Sequence, residues 1–434
     1  MNNQSRKRKS PCEDSFEVST RPDGPVKCEE MNPIQLSPEQ RHVVLLAQQG
    51  VNLMILGGAG TGKSTLVSHI VDTLKTEGKE VRVSSMTGAS ALIIGGGTLH
   101  STLAIGLGKL VNFEMARLRK SQAFGLFDTL IIDEISMMDE FLFQQIDLTC
   151  KVVRGKMDLP FGGAQLIVVG DFHQLRPVKS DTYMYDSKAF KEGQFHRIVL
   201  KTMQRSKTDP ILMGIMERFR QQKVTRADCD MMNRKNDLIS IKDRSIPHLY
   251  ALGEDANAYN LKCLTRLKEK MHTFFSPDAK LTVTLCIGCR VMHLVNIPQQ
   301  GLVNGSQGTV VAFSMIDNQF LPIVDFDGIG PLLVCYHAFD KNGGVKKSPK
   351  FLPLILSYGL TIHKAQGATF PKAVVFCKGI FCAGQAMTAL SRTHSLDGMQ
   401  VIGFELKHVK YDEKNVKFQR NQEDWLASNQ DDHA

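Results

Sequence analysis

Residues 52–65 read Asn52-Leu53-Met54-Ile55-Leu56-Gly57-Gly58-Ala59-Gly60-Thr61-Gly62-Lys63-Ser64-Thr65. The short apolar run at 53–56, bounded by Gly50 and Gly57, reads as a buried strand, and a helical pattern follows from Thr65 to Lys75. Between them lies G-x-x-x-x-G-K-S. Glycines there let successive backbone N–H groups curl inward at a helix N-terminus and make an anion cradle. In such a cradle Lys63 neutralises the β and γ phosphates and the Ser64 hydroxyl coordinates Mg²⁺. Residues Gly57, Gly58, Ala59, Gly60, Thr61, Gly62, Lys63, Ser64 and Thr65 are therefore expected to hold a nucleotide.

The flanks agree with a sheet built around this strand. Upstream, Leu36-Ser37-Pro38-Glu39-Gln40 puts Ser at a helix N-cap and Pro at the first helical position. Downstream, apolar runs at Glu80–Ser84, Thr129–Ile132, Gln165–Val169 and Ile198–Leu200 alternate with segments long enough for helices, which predicts a parallel sheet covered on both faces. Two of those strands end in polar residues at the edge where a parallel sheet meets its ligand. Asp133 and Glu134 close the run Leu130-Ile131-Ile132: Asp133 suits Mg²⁺, and Glu134 suits polarising the attacking water. Gly170-Asp171-Phe172-His173-Gln174 follows the next strand, and the Gln174 amide is placed to sense a γ-phosphate.

The chain has 434 residues, 42% hydrophobic and 22% charged, which fits about two or three folded domains and excludes a minimal module or a low-complexity polymer. No run approaches the roughly 18–20 apolar residues of a membrane span, so no membrane partner is expected. Ten scattered cysteines fit a reducing compartment; Cys286-x-x-Cys289 has no second pair to complete a zinc site and reads as core. The net charge of +9 is carried by the body of the chain, which hints at a polyanionic partner or equally a solvated basic surface. Residues 1–32 lack an apolar pattern and read as a tail, in which Arg6-Lys7-Arg8-Lys9 is either a nuclear-import signal or a chance basic cluster.

Residues 280–352 change texture. Closely spaced strands at Leu281–Leu285, Arg290–Val295, Gly308–Phe313, Leu321–Phe326 and Leu332–Tyr336, with Asn304-Gly305 and Asp327-Gly328 as turns, predict a small all-β insertion. After it, Lys372–Cys377 and Gln400–Gly403 return to α/β texture.

With these pieces in order, residues 36–404 resemble a superfamily-one nucleic-acid helicase of the PIF-one-type branch, which moves 5′ to 3′. The resemblance rests on the phosphate loop with Leu36–Gln40 before it, Thr87-Gly88-Ala89-Ser90, Gly97-Thr98-Leu99-His100-Ser101, Ile132–Met137, Gly170–Leu175, Leu200–Arg205, Gly301–Ser306, Thr361-Ile362-His363-Lys364-Ala365-Gln366-Gly367 and Ala389-Leu390-Ser391-Arg392. It implies an α/β fold of two RecA-like P-loop domains, parallel sheets covered by helices, with an SH3-like all-β insertion in the second. The expected layout is a tail at 1–32, the first domain at 33–198 with a small insert near 97–117, the second domain at 199–279 and 353–410 around the insertion at 280–352, and a polar tail at 411–434. ATP would lie between the domains, with Arg205 and Arg392 as arginine fingers, Gln40 reading adenine and Gly367 in the nucleotide set. Thr87, Gly88, His100, Ser101, Thr361, His363, Lys364 and Gln366 would track the strand's backbone, and Phe172 or His173 would stack on bases.

Three departures touch the stacking details: Gln204 stands where relatives carry Phe, His173 replaces an aromatic, and Arg176 precedes Pro177 in place of proline. The implied activity is an ATP-dependent 5′-to-3′ DNA helicase in genome maintenance, acting on single-stranded and tailed duplex DNA. It would use ATP and Mg²⁺, be monomeric by default, and reside in the nucleus, with mitochondrion or a viral setting as alternatives. An RNA helicase of the same superfamily and a non-catalytic single-strand binder are the other readings.

Overall fold

The computed structural model describes residues 36–103, 127–202, 204, 209–276, 281–295, 297–316, 318–338 and 350–428. The first sheet comprises β1 (Leu53–Gly57), β2 (Val81–Ser85), β3 (Gly97–Thr98), β4 (Thr129–Asp133), β5 (Gln165–Gly170) and β6 (His196–Leu200), in the order β3-β2-β4-β5-β1-β6. All its pairings are parallel. Strands β1, β4 and β5 are buried along their whole length, as a sheet covered on both faces requires. Alternation splits their side chains between two cores. Met54, Leu130, Ile132, Leu166 and Val168 face one, while Leu53, Ile55, Ile131, Ile167 and Val169 face the other.

The second domain opens with the helix Pro210–Arg220, capped by Asp209, and places β7 (His248–Tyr250) in its sheet. The chain then leaves for the insertion: β8 (His272–Ser276), β9 (Leu281–Leu285), β10 (Arg290–His293), β11 (Gln307–Ile316), β12 (Gln319–Phe326), β13 (Gly330–Leu333), β14 (His337–Ala338), β15 (Lys350–Phe351) and β16 (Leu354–Leu356). Five of these form an antiparallel sheet, β13-β12-β11-β10-β16, and the others pair as β8 with β9 and β14 with β15. The first hairpin thus begins before position 280. Gly328, φ +75°, makes the turn between β12 and β13. Cys286 and Cys289 are buried in the insertion's core, and burial pushes the Cys289 thiol up to about 12. The chain returns through β17 (Gly359–Thr361), β18 (Ala373–Phe376) and β19 (Met399–Ile402), giving a parallel sheet β17-β7-β18-β19. Leu249, Leu360, Val375 and Val401 pack there with Leu212, Ile215, Met216 and Phe219 of the helix Pro210–Arg220. Two parallel α/β sheets covered by helices are the expected fold class.

Residues 413–428 differ from the expected tail: they form the helix Glu413–Ser428, which docks on the first domain. Phe418 stacks on Tyr185 with ring centroids 3.8 Å apart and meets Phe172 edge-on at 5.6 Å. Tyr183 donates to Asp412 at 2.7 Å, Tyr185 donates to Asn415 at 2.7 Å, and the Asn415 amide donates to the Phe172 carbonyl at 3.1 Å. Among the described side chains of this helix Phe418 packs against the domain's apolar core, too thin a stripe to be read from sequence. The chain's one tryptophan, Trp425, belongs to the same helix. Phe418→Ala should cost about 2 kcal/mol in lost burial and ring contact, and the exposed control Lys417→Ala should stay within about 0.5 kcal/mol. Tryptophan fluorescence during urea unfolding checks this, with an earlier transition expected in the Phe418 variant alone.

A candidate nucleotide cleft between the two sheets

Strand β1 ends at Gly57, and the loop turns through Gly60 and Gly62, at φ +89° and +79°, where a side chain would be strained. The helix Lys63–Thr76 starts immediately, with Ser64 and Thr65 in its first turn. Lys63 Nζ donates to the carbonyls of Gly57 and Gly58 at 2.8 and 2.9 Å, so the ammonium rests on the loop's own oxygens. Burial pulls its pKa down, against the pull of Asp171, Asp133 and Glu134 upward. Gln40 braces the loop: its Nε2 donates to the Thr61 carbonyl at 3.2 Å and its Oε1 accepts the Ser37 N–H at 3.1 Å, closing the capping box of the helix Pro38–Gln48. The amide expected to read adenine thus holds the loop and the cap together. Gln204 N donates to the Gly60 carbonyl at 3.1 Å; its neighbour Arg205 lies outside the described residues.

The carboxylates stand at the end of β4. Asp133 accepts from Ser90 Oγ at 2.5 Å and from the Glu134 N–H at 2.8 Å. Glu134 adopts φ +59°, a left-handed conformation that costs a β-substituted residue on the order of 1 kcal/mol and is held by its surroundings. Its Oε2 accepts from Gln366 Nε2 at 2.9 Å, and the same nitrogen reaches Ser136 Oγ at 3.2 Å. Gln366 is fully buried, and its Oε1 meets no donor among the described residues. Burial and the adjacent Asp133 push the Glu134 carboxyl up, opposed by Arg392, the Gln366 amide and Lys63.

From the second domain, Arg392 donates to the carbonyls of Thr388 (2.8 Å) and Ala368 (3.0 Å) and to Ser391 Oγ, and reaches Gln174 Oε1 at 3.4 Å. Gln174 in turn donates to Asp171 at 3.4 Å. Asp171 is clasped by Arg220, the last residue of the helix Pro210–Arg220, with Nη1–Oδ1 at 3.1 Å and Nη2–Oδ2 at 2.5 Å. Burial alone would raise the Asp171 carboxyl, but the guanidinium overrides it and holds it well below the usual carboxylate range. Arg220 also lies on the loop, since a Cβ at Gly58 would sit 2.9 Å from its Nη2. A cavity of about 610 Å³ opens beside Gly57, Gly58, Ala59, Asp171 and Arg220.

The strand-contact set is divided by the structure. Thr361 caps a one-turn helix, Ile362–Ala365, that carries the half-buried His363 and the exposed Lys364. His100 and Ser101 lie on the short helix Leu99–Thr102. Thr87 accepts the Ser90 N–H, and Gly88 is packed under the Asn304 carbonyl of the insertion. Gly367, assigned to the nucleotide set, lies instead against Thr87 and Ser90, where a Cβ would come within 2.6 Å of Thr87 Oγ1. One assignment is corrected. Phe172 is 2% exposed and packs edge-on against Tyr183, Tyr185 and Phe418, so no base can stack on it. His173 faces the cavity beside the phosphate loop, and burial reinforced by Arg220 pulls its pKa down to about 4. Gln366 sits on the Glu134 carboxylate.

Arg220 and Ser90 were not singled out by sequence. Arg218 and Arg220 in the last turn of a helix look like ordinary partners of its C-terminal dipole, which hides an arginine that crosses to another domain.

The profile of the PIF1-like helicases matches residues 35–229. The ATP-dependent DNA helicase PIF1 of Xenopus laevis is 32% identical over 87% of this chain, which spans 63% of that relative's length. The ATP-dependent DNA helicase Pif1 of Bdellovibrio bacteriovorus is 30% identical, with 89% of this chain and 92% of the relative covered. The crystal structure of Pif1 helicase from Candida albicans superposes with a TM-score of 0.77 at 32% identity, covering 89% of this chain and 99% of that one. A Bacteroides Pif1 helicase in complex with ADP-AlF3 and single-stranded DNA gives 0.76 at 26% identity over 90% and 98%. A bacterial relative 30% identical and matched along 92% of its length places the chain in the PIF1-like helicase family.

Proposed function

We propose that this chain is an ATP-dependent DNA helicase that hydrolyses ATP in the cleft and moves 5′ to 3′ along single-stranded DNA, opening duplex ahead of it. The observation that carries this reading is the convergence of Lys63, Glu134 and Gln174 from one sheet with Arg392 and Arg220 from the other. Charges supplied from two bodies make hydrolysis depend on their approach, which is what couples a chemical step to movement. The relatives' names and the Bacteroides complex with ADP-AlF3 and single-stranded DNA support the same activity for this cleft.

Lys63 would exchange two backbone carbonyls for the β and γ phosphates, an exchange favoured because a phosphate carries full charge where a carbonyl carries a dipole. Glu134 accepts the proton of the attacking water on its carboxylate, whose other oxygen is held by Gln366. Arg392, released from its carbonyls, and Arg205 would meet the charge that develops on the transferred phosphoryl group. Mg²⁺ commonly takes one or two carboxylates and completes its shell with phosphates and water. Asp133 at the end of β4 and Ser64 in the first turn after the loop fit that pattern and would hold it, where it would neutralise phosphate charge. Thr361, His363 and Lys364 stand on the one-turn helix directly before Gln366, so strand contact there is one turn away from Glu134. Within this reading the work belongs to genome maintenance, and the Arg6–Lys9 cluster directs it to the nucleus.

Lys63→Ala should lower ATP turnover by roughly 10²–10³-fold or more with folding intact, measured by phosphate release with saturating single-stranded DNA. On two otherwise identical duplexes, one with a 5′ and one with a 3′ single-stranded DNA tail, strand separation should occur from the 5′ tail alone; separation from the 3′ tail contradicts the polarity. Burial and Asp133 push the Glu134 carboxyl up and its charged form is the base, so turnover should fall along a limb on the acid side. Gln366→Ala removes a donor that favours that charged form, so the limb should move to higher pH. A limb that stays in place would show that another group sets it.

A further inference from the structure

The ion pair between Arg220 and Asp171 joins the last residue of a second-domain helix to the end of a first-domain strand. The pair is well enclosed, with side chains 17% and 2% exposed. Two features set it apart from a structural bridge on the surface. Its guanidinium lies against Gly58 of the phosphate loop, and its charge acts on Lys63 together with those of Asp171, Asp133 and Glu134. Among the described residues, Lys63, Arg220 and Arg392 therefore lie with Asp133, Glu134 and Asp171 in one cleft. A nucleoside triphosphate brings several negative charges into that cleft, and the cations must redistribute towards it.

Arginine is suited to such an exchange. Its planar fork takes a carboxylate or a phosphate in the same two-point geometry, so the Asp171 carboxylate occupies the fork as a phosphate would. Asp171 would keep two donors without it, the His173 N–H at 3.1 Å and the Gln174 amide at 3.4 Å, so losing the fork does not strand a bare buried anion. Resting on the ATPase reading above, we propose that Arg220 is a further phosphate-contacting residue that turns from Asp171 to the terminal phosphate when ATP fills the cleft. The helix Pro210–Arg220 then reports to the second domain whether a γ-phosphate is present, because ADP leaves the fork on Asp171. This differs from the task expected of Arg205 and Arg392, which stabilise charge as the bond breaks: Arg220 distinguishes the nucleotide bound before any chemistry.

The test is the affinity of the full chain for ADP and for the β,γ-imido analogue of ATP, each with Mg²⁺, by titration calorimetry. In the unaltered protein, binding of both nucleotides checks the ATP site itself, independently of Arg220. Arg220→Ala should weaken the analogue at least tenfold and leave ADP within twofold, Arg220→Lys should fall between, and Asp171→Asn should not weaken the analogue. Equal weakening of both nucleotides by Arg220→Ala, or Asp171→Asn matching Arg220→Ala, would show the pair to be a structural brace and overturn the proposal. An unchanged analogue affinity in Arg220→Ala overturns it too. If the alanine variant does not fold, the ratio of analogue to ADP affinity in Arg220→Lys decides alone, with an unaltered ratio counting against the proposal.

Discussion

Parallel pairing is the constraint on which everything else in the molecule rests. Because β1 lies between β5 and β6 with all three running the same way, Leu56 is level with Gly170 and Gly57 with Leu200. On the other side of β5, Ile132 of β4 is level with Val168, and β4 ends one residue on at Asp133, level with Ser85 of β2. Hydrogen-bond register thus delivers the phosphate loop, the paired carboxylates and the Asp171–Gln174 turn to a single edge, though the first and last of them lie more than a hundred positions apart in sequence. No side-chain interaction needs to recruit them. The side chains have only to fill the edge with matched charge, which they do through Ser90 on Asp133, Gln366 on Glu134 and Arg220 on Asp171.

That origin explains what could be read from sequence. Strands buried on both faces are continuous apolar runs, so β1, β4 and β5 announce themselves, and the glycines of the loop are required by left-handed backbone at Gly60 and Gly62. Residues at strand ends inherit their place from the register. The antiparallel strands after position 280 are legible for a different reason: alternating patterns with Asp327-Gly328 at a turn leave few other solutions.

Illegible were the contacts between bodies. Whether Gln366 points to a strand or to Glu134 depends on how the second sheet is set against the first, and a one-turn helix presents its polar residues in both directions. From sequence Phe172 reads as an aromatic free to stack after a strand, because Phe418, which completes its enclosure with Tyr183 and Tyr185, lies 246 positions later. The helix bearing Phe418 escaped notice because hydrogen bonds from Tyr183, Tyr185 and Asn415 do work that a broad apolar stripe does elsewhere. A dock built from polar complementarity carries little periodic signal.

The docking of that helix also bears on mechanics. The chain leaves the first sheet after Leu200, completes the second α/β body, and returns at Asp412 to fasten itself to the first. The two bodies are therefore tethered at two separated places. A body pinned at one point can swing in any direction; one pinned at two retains a single easy freedom, rotation about the line through the pins. Opening and closing of the cleft would follow such a door-like arc, with the lever arm set by the spacing of the two crossings.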